Sequence, residues 1–279
     1  MPELPEVEII ARGVNERLRG DRIVEVWFSR HPQPFKTPAI RQARGLIGRE
    51  IQAVHRMGKH IVCELGTSPS SGRVDAQASQ WIVHLGMTGR LLVTTPEAPV
   101  APHTHARLSL ASGSELRFVD PRRFGRLEYR DLSVKAGFRA PGVDPLKVTA
   151  EEFAQLFRGR KLAIKAALLN QKLLSGVGNI YADESLFRAG IRPRRQSGRL
   201  TRAELEGLRL ALRKVLKHAI RLGGSSVSDY VDAEGVRGFF QLEHSVYQRT
   251  GLPCHRCQTP IRRILVAGRG THYCPRCQQ

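Results

Sequence analysis

Four cysteines near the C-terminus carry the most specific chemistry in this sequence. Cys254 and Cys257 form one C-x-x-C pair, and after sixteen intervening residues Cys274 and Cys277 form a second. Two such knuckles at this separation supply four thiolates for a tetrahedral structural zinc site. His255 and His272 lie close by, but four sulfurs complete the shell, so both are read as non-ligands. The intervening PIRRILVAGRGTHY reads as two strands joined at GRG, a zinc-stapled β-hairpin with Arg269 at its tip between two glycines. Such an arginine either solvates a turn or holds an anion, because flanking glycines admit close backbone approach and a guanidinium grips phosphate bidentately. The fifth cysteine, Cys63, sits in strand-like text and reads as an inert core thiol.

Three other stretches hold reactive or ligand-binding residue types. In LLSGVGNIYADESLF a turn containing Gly176 and Gly178 leads into a helix beginning at Asn179, which directs backbone N–H groups at an anion; Asn179 as a plain N-cap is the simpler alternative. In DPRRFG (120–125), Phe124 beside Arg122 and Arg123 suits a wedge in a base stack with its phosphates held, or else a β-turn with solvated charges. MPELPEVE sets Glu3, Glu6 and Glu8 beside Pro2, which becomes the N-terminal residue once Met1 is removed. Taken locally, Met87 in HLGMTG is a core residue and Lys59 in RMGKHIV a surface lysine.

The elements that must position these groups fall into two kinds of text. Pro5, Glu6 and Glu8 suit a helix start, and Val7, Ile10, Val14 and Leu18 recur at helical spacing, which predicts a helix over about 5–19. Eight short strand-like runs follow to about residue 135 with no helix between them, which points to a β-sandwich or barrel. The polar, Gly/Ser-rich stretch 66–80 reads as a mobile loop without chemistry. Residues 136–149, with two prolines and two glycines, read as an interdomain connection. Helical text then opens with a capping box at Thr149 and Glu152 and continues through KLAIKAALLNQKLL and NIYADESLFRAG. A long amphipathic helix closes it, with Thr201 and Glu204 as its capping box and Leu205, Leu208, Leu212, Val215 and Leu216 on one stripe. The Gly/Ser-rich stretch 223–238 is long enough to be a functional loop.

Charge narrows the partners. The chain holds 45 Lys+Arg against 25 Asp+Glu, a net charge of +20. Residues 1–160 contribute net +7 and residues 161–279 net +13. Such an excess serves a polyanion, nucleic acid or an acidic membrane surface. No apolar run approaches bilayer length and the acidic start is unlike a secretory signal, so an intracellular protein is expected.

Taken in order, MPELPEVE, HLGMTG, DPRRFG, SGVGNIYADESLF, GFFQ and the four-cysteine finger resemble bacterial formamidopyrimidine-DNA glycosylases, over nearly the whole chain. The resemblance implies an α+β multidomain protein. Its parts are an N-terminal β-sandwich with a leading helix (1–135), a linker (136–149), a helix-two-turns-helix domain with a lesion-recognition loop (150–238) and a zinc-finger β-hairpin (239–279). It implies base excision repair in the bacterial cytoplasm by a monomer acting on damaged double-stranded DNA, with one zinc ion. The activity implied is removal of 8-oxoguanine and formamidopyrimidines, then strand scission by β,δ-elimination.

Carried onto matching positions, the resemblance makes Pro2 the nucleophile and Glu3 the acid that protonates the opening sugar, with Glu6 in support. An α-amino group titrates near about 7.7–8.0 against about 10.4 for lysine, so far more of it is neutral at pH 7. A secondary amine also forms an iminium with no N–H proton to lose. Lys59 matches the proton-transfer position of β-elimination and Arg269 that of δ-elimination. Met87, Arg122 and Phe124 match the set that fills the gap left by the extruded base, and Asn179 and Arg122 match phosphate contacts. His103 and Arg160 fall at further DNA-binding positions, Arg160 standing where the family carries lysine. Two alternatives are an endonuclease VIII-type glycosylase for oxidised pyrimidines and a non-catalytic zinc-dependent DNA-binding protein.

Overall fold

A computed structural model describes residues 1–31, 34–67, 78–226 and 230–279. The chain divides into two compact units, Met1–Arg139 with Gly223–Gly238, and Ala140–Leu222 with Phe239–Gln279.

The first unit opens with helix α1, Leu4–Leu18. It starts one residue earlier than expected because Glu3, in extended conformation, is the N-cap, which places Pro5 second in the helix, where its missing N–H has no intrahelical acceptor to lose. Leu4, Val7, Ile10, Val14 and Leu18 are buried, as their spacing predicts. Eight strands follow: β1 (Ile23–Phe28), β2 (Arg49–Met57), β3 (His60–Thr67), β4 (Ser79–His84), β5 (Arg90–Thr94), β6 (Thr104–Leu110), β7 (Glu115–Val119) and β8 (Arg126–Asp131). They pair antiparallel into two four-stranded sheets, ordered β1-β6-β7-β5 and β2-β3-β4-β8. Alternate residues of both sheets, among them Ile61, Cys63, Leu65, Trp81, Val83, Leu108, Leu116 and Phe118, share one core with α1, which is the sandwich expected. Burial pushes the Cys63 thiol up to about 12, so it is inert.

One expectation fails. A helix, α2 (Ala39–Leu46), interrupts the strand-rich region. Its apolar pattern is illegible because Ile40 faces outward while Gln42 is fully buried. Gln42 earns its place by hydrogen bonding: its Nε2 donates to the carbonyl of Thr37 at 2.7 Å, and its Oε1 accepts from Trp81 Nε1 at 3.0 Å. Of the 66–80 loop, the ends belong to β3 and β4 and residues 68–77 lie outside the described residues.

On the outer face of the second sheet, the rings of His60 and His84 meet at a tilt with centroids 4.8 Å apart, and the Phe138 ring lies 4.6 Å from His60. Burial, above all, lowers both histidines from 6.5 to about 4. The unfolded chain therefore takes up protons below about pH 6.5 that the folded one refuses until about pH 4, so stability is full above this window and falls as pH drops through it. Each imidazole accounts for roughly 3 kcal/mol at the limit. Urea unfolding across the window should show a smaller loss in His60→Phe than in the parent; an unchanged slope would refute the assignment.

The second unit contains α3 (Ala150–Phe157), α4 (Ile164–Leu169), α5 (Asn179–Ala189), α6 (Arg202–Arg221) and the hairpin β9 (Arg262–Val266) and β10 (Arg269–Tyr273). Both expected capping boxes form, at Thr149 with Glu152 and at Thr201 with Glu204. The Leu205 to Leu216 stripe of α6 is buried. Helix α4 is shorter than its sequence suggests. Asn170 ends it by accepting from Lys172 N–H through Oδ1 at 3.0 Å, and the Gln171 side chain then spans the turn, donating to Val177 O at 2.7 Å and accepting from Gly176 N–H at 2.9 Å. These are the two turns between α4 and α5. Among the described residues no helix is long and apolar enough to cross a membrane.

Candidate active site and nucleic-acid interface

Pro2 is buried at the start of α1, immediately before Glu3 and one turn from Glu6, which are only 4% and 2% exposed. Glu3 and Glu6 form a capping box in which Glu6 Oε2 accepts from Glu3 N–H at 2.8 Å. Glu6 Oε1 accepts from the Ser225 N–H at 2.8 Å. The carboxylate thus joins the helix start to the stretch 223–238, which packs within the first unit rather than with the helical text preceding it in sequence. Gly224 makes this approach possible: its φ is +80°, and a Cβ there would stand 3.0 Å from Glu6 Oε1. The rest of the stretch is anchored by Tyr230 and Ala233 in the core, by Val93 N–H donating to Ala233 O at 2.9 Å, and by an Arg17–Glu234 ion pair at 2.7 Å. Residues 227–229 lie outside the described residues.

Lys59 lies in the two-residue turn joining β2 to β3 and is 8% exposed, so it is not the surface lysine its local sequence suggests. Arg56 connects that turn to α1, its Nε donating to Glu8 Oε2 at 2.8 Å and its Nη1 to Gly58 O at 3.4 Å.

Met87 and Phe124 are both exposed, on turns that touch. Gly86, at φ +64°, would place a Cβ 2.5 Å from the Phe124 carbonyl carbon, so only glycine permits this approach. Asp120 pins both turns, accepting from Thr88 Oγ1 at 2.6 Å through Oδ1 and from Gly125 N–H at 2.7 Å through Oδ2. The Arg122 guanidinium lies 4.8 Å over the Phe124 ring. His103 is exposed with φ 64°, and its carbonyl accepts from Asp120 N–H at 3.0 Å. The turns that carry Met87 and Phe124 are therefore pinned to one carboxylate, and Asp120 is a positioning residue that the motif DPRRFG contains but does not announce.

In the second unit, Asn179 is the first helical residue of α5 and Gly178 the N-cap, so Asn179 is not a plain cap. Its Nδ2 donates to Gly270 O at 3.0 Å, which brings Asn179 next to Arg269 through the hairpin backbone. Arg269 is exposed and opens β10; the turn itself is Ala267–Gly268, both at positive φ (49° and 71°). Beneath it, the fully buried pair Lys165 and Asp183 meets at 2.6 Å. Lys165 Nζ also donates to Thr271 Oγ1 at 2.8 Å, and Asp183 Oδ2 accepts from His272 N–H at 2.8 Å. Sequence spacing alone does not show this pair, because the two charges lie on different helices, α4 and α5, and meet only in the fold. Lys165→Met is expected to cost about 3–5 kcal/mol in urea unfolding by stranding Asp183. Adding Asp183→Asn should return part of that loss, and strictly additive costs would show that the two do not act as a pair. Arg160 lies exposed after α3, with Nε donating to Leu156 O at 2.5 Å.

The four cysteine sulfurs lie within 4.8 Å of one another, with Cys254–Cys277 at 3.9 Å and Cys257–Cys274 at 3.5 Å. A sulfur tetrahedron around zinc, with Zn–S near 2.3 Å, has edges of about 3.8 Å, so the donor set fits one zinc ion. Backbone N–H groups of Arg256 and Cys277 donate to Cys254 and Cys274 Sγ at 3.4 Å each, stabilising thiolate charge. His255 is exposed and the His272 Nδ1 turns toward Asp183 at 3.2 Å, so neither joins the cluster.

Comparison with known proteins supplies the family. Residues 1–127 match the formamidopyrimidine-DNA glycosylase N-terminal domain, 141–231 its H2TH domain, and 251–279 the zinc finger found in FPG and IleRS. The chain is 45% identical over 281 residues to a formamidopyrimidine-DNA glycosylase of Solibacter usitatus, with both chains covered completely. It is 34% identical, with TM-scores of 0.87 and 0.85 and both chains covered completely, to Lactococcus lactis FPG structures. One is a variant in complex with Fapy-dG-containing DNA and the other the wild type with oxidized-pyrimidine-containing DNA. With a capped acidic helix start, a two-turn helix pair and a four-sulfur hairpin matching in order along the full length, the chain belongs to the formamidopyrimidine-DNA glycosylase family.

Proposed function

We propose that the chain is a bifunctional DNA glycosylase and AP lyase that removes oxidised purines, 8-oxoguanine and formamidopyrimidines, from damaged double-stranded DNA in base excision repair. The observation that carries the mechanism is the position of Pro2 directly before two buried carboxylates, Glu3 and Glu6, the second held from both sides. After loss of Met1, the proline nitrogen attacks C1′ of the extruded nucleotide, the base departs with the electron pair of the broken C1′–N bond, and the proton shed by the proline nitrogen balances the one the base takes up. Glu3 gives a proton to O4′ as the sugar ring opens, leaving an iminium between Pro2 and C1′. The iminium accepts the electron pair released when C2′ loses its proton, and expulsion of the 3′-phosphate then completes β-elimination. Lys59 serves that proton transfer. Arg269 serves the later δ-elimination, which expels the 5′-phosphate, and grips the flanking phosphates.

Glu6 supports Glu3 by fixing the helix start. Met87, Arg122 and Phe124 fill the space the base vacates, while Asn179, His103 and Arg160 hold backbone phosphates. Zinc, held by Cys254, Cys257, Cys274 and Cys277, keeps the hairpin that carries Arg269 folded. The protein acts as a monomer in the bacterial cytoplasm.

Borohydride added during turnover of an 8-oxoguanine duplex should trap a covalent protein–DNA adduct. Absence of an adduct, or one that survives Pro2→Gly undiminished, would refute the nucleophile. Because a Lactococcus lactis relative was solved with oxidized-pyrimidine DNA, excision of thymine glycol by this chain is the second reading. Parallel rates on the two lesions decide between them, and salt-sensitive binding with no cleavage of either would identify a non-catalytic DNA-binding protein.

A further inference from the structure

The first unit holds a cavity of about 480 Å³ in which only His103 has a part in the function proposed above. Trp27, Arg30, His31, His103, His105 and Arg123 line it, and none of its described lining side chains is acidic. Asp120, whose carbonyl meets the lining residue His105, has its carboxylate already engaged by Thr88 and Gly125. His105 is fixed as a neutral wall: its Nε2–H donates to Asp120 O at 3.1 Å, so its Nδ1 accepts from the Ser29 hydroxyl at 3.0 Å. His31 packs edge-on against His105, with ring centroids 5.9 Å apart, and its Nδ1 lies 3.5 Å from Arg123 Nη1. Trp27 is 45% exposed on β1, a large apolar face left in water beside two guanidiniums.

Such a cavity selects for an anion attached to something flat or apolar. Guanidiniums recognise phosphate, and an indole face packs on the apolar face of a sugar irrespective of sequence. A free inorganic anion would use the arginines and leave Trp27 without a role. The cavity is also continuous with residues proposed above to contact DNA, since His103 lines it and Arg123 lies between Arg122 and Phe124. We propose that this cavity is an additional subsite for duplex DNA, filled only by a duplex that extends beyond the lesion site, with Arg30 on a backbone phosphate and Trp27 against the adjoining sugar. The inference rests on the DNA-repair reading but concerns a different property, the length of duplex that the protein holds.

The test is equilibrium binding to a short and a long duplex carrying the same lesion, over a range of salt, for the parent, Trp27→Ala and Arg30→Gln. On the long duplex, Arg30→Gln should lower the salt slope by about one. Trp27→Ala should weaken binding severalfold through the apolar contact it removes. On the short duplex both variants should bind like the parent, and at saturating enzyme both should give parental yields of trapped adduct. Because Trp81, the other tryptophan, is only 1% exposed, quenching of fluorescence by the long duplex reports Trp27 directly. Parental affinity and slope for both variants on the long duplex would overturn the proposal. So would equal quenching by inorganic phosphate alone, which would mark a free-anion site. Failure of the parent to trap any adduct would instead count against the glycosylase reading, leaving the binding comparison to decide the subsite.

Discussion

Glu3→Gln is expected to slow excision of 8-oxoguanine by roughly 10²–10⁴-fold, the usual contribution of a positioned general acid, with little change in stability. The two halves of this expectation separate because Glu3 has two jobs. As N-cap of α1 it must offer an oxygen acceptor, and a glutamine side chain still does so. As the proposed acid it must deliver a proton, and an amide has none to give at neutral pH. Single-turnover excision measured beside urea unfolding checks both. A variant that unfolds early would show that burial, not acidity, explains the residue, and one that retains parental rates would remove Glu3 from the chemistry. Blocking the Pro2 amine, by retained Met1 or by acetylation, should abolish the trapped adduct altogether, since no other group in the proposed mechanism forms the iminium.

Removal of zinc is expected to have the second large effect. Binding of zinc to small four-cysteine modules is worth about 10–16 kcal/mol at pH 7, far more than a short hairpin retains without it. Here the cysteines are themselves core: Cys254 and Cys274 are fully buried and cluster with Phe187, Val246 and Ile261. Losing the ion therefore releases β9 and β10, and with them the Gly270 carbonyl that accepts from Asn179 and Lys165. The same event should free Arg269, misplace Asn179 and strand the Lys165–Asp183 pair. Strong chelators, or Cys274→Ser, should abolish binding to lesion duplex while the first unit, whose core contains no zinc ligand, keeps its own unfolding transition. Undiminished binding after verified zinc loss would refute the structural role of the finger.

Much of this was legible in the sequence because it depends on neighbours along the chain. Cysteine spacing names the zinc ligands, since two knuckles impose the ligand geometry locally. Thr149 with Glu152 and Thr201 with Glu204 mark helix starts because a capping box closes within three residues. The short motifs carried the family for the same reason. Where the pattern rested on apolar periodicity it failed at α2, whose buried face is a glutamine satisfied by Thr37 and Trp81.

Tertiary structure alone decided the rest. Glu6 meets Ser225 across 219 residues of sequence, Lys165 meets Thr271 across 106, and Asp120 ties together turns 32 residues apart. It alone placed Lys59 in a buried turn, assigned 223–238 to the first unit and set Trp27 and Arg30 in one cavity with His103, His105 and Arg123. Local spacing determines which residues can begin a helix or hold a metal. Which buried charge finds which partner depends on the cost of leaving it unpaired in the packed interior, and that cost exists only once the chain has folded around it.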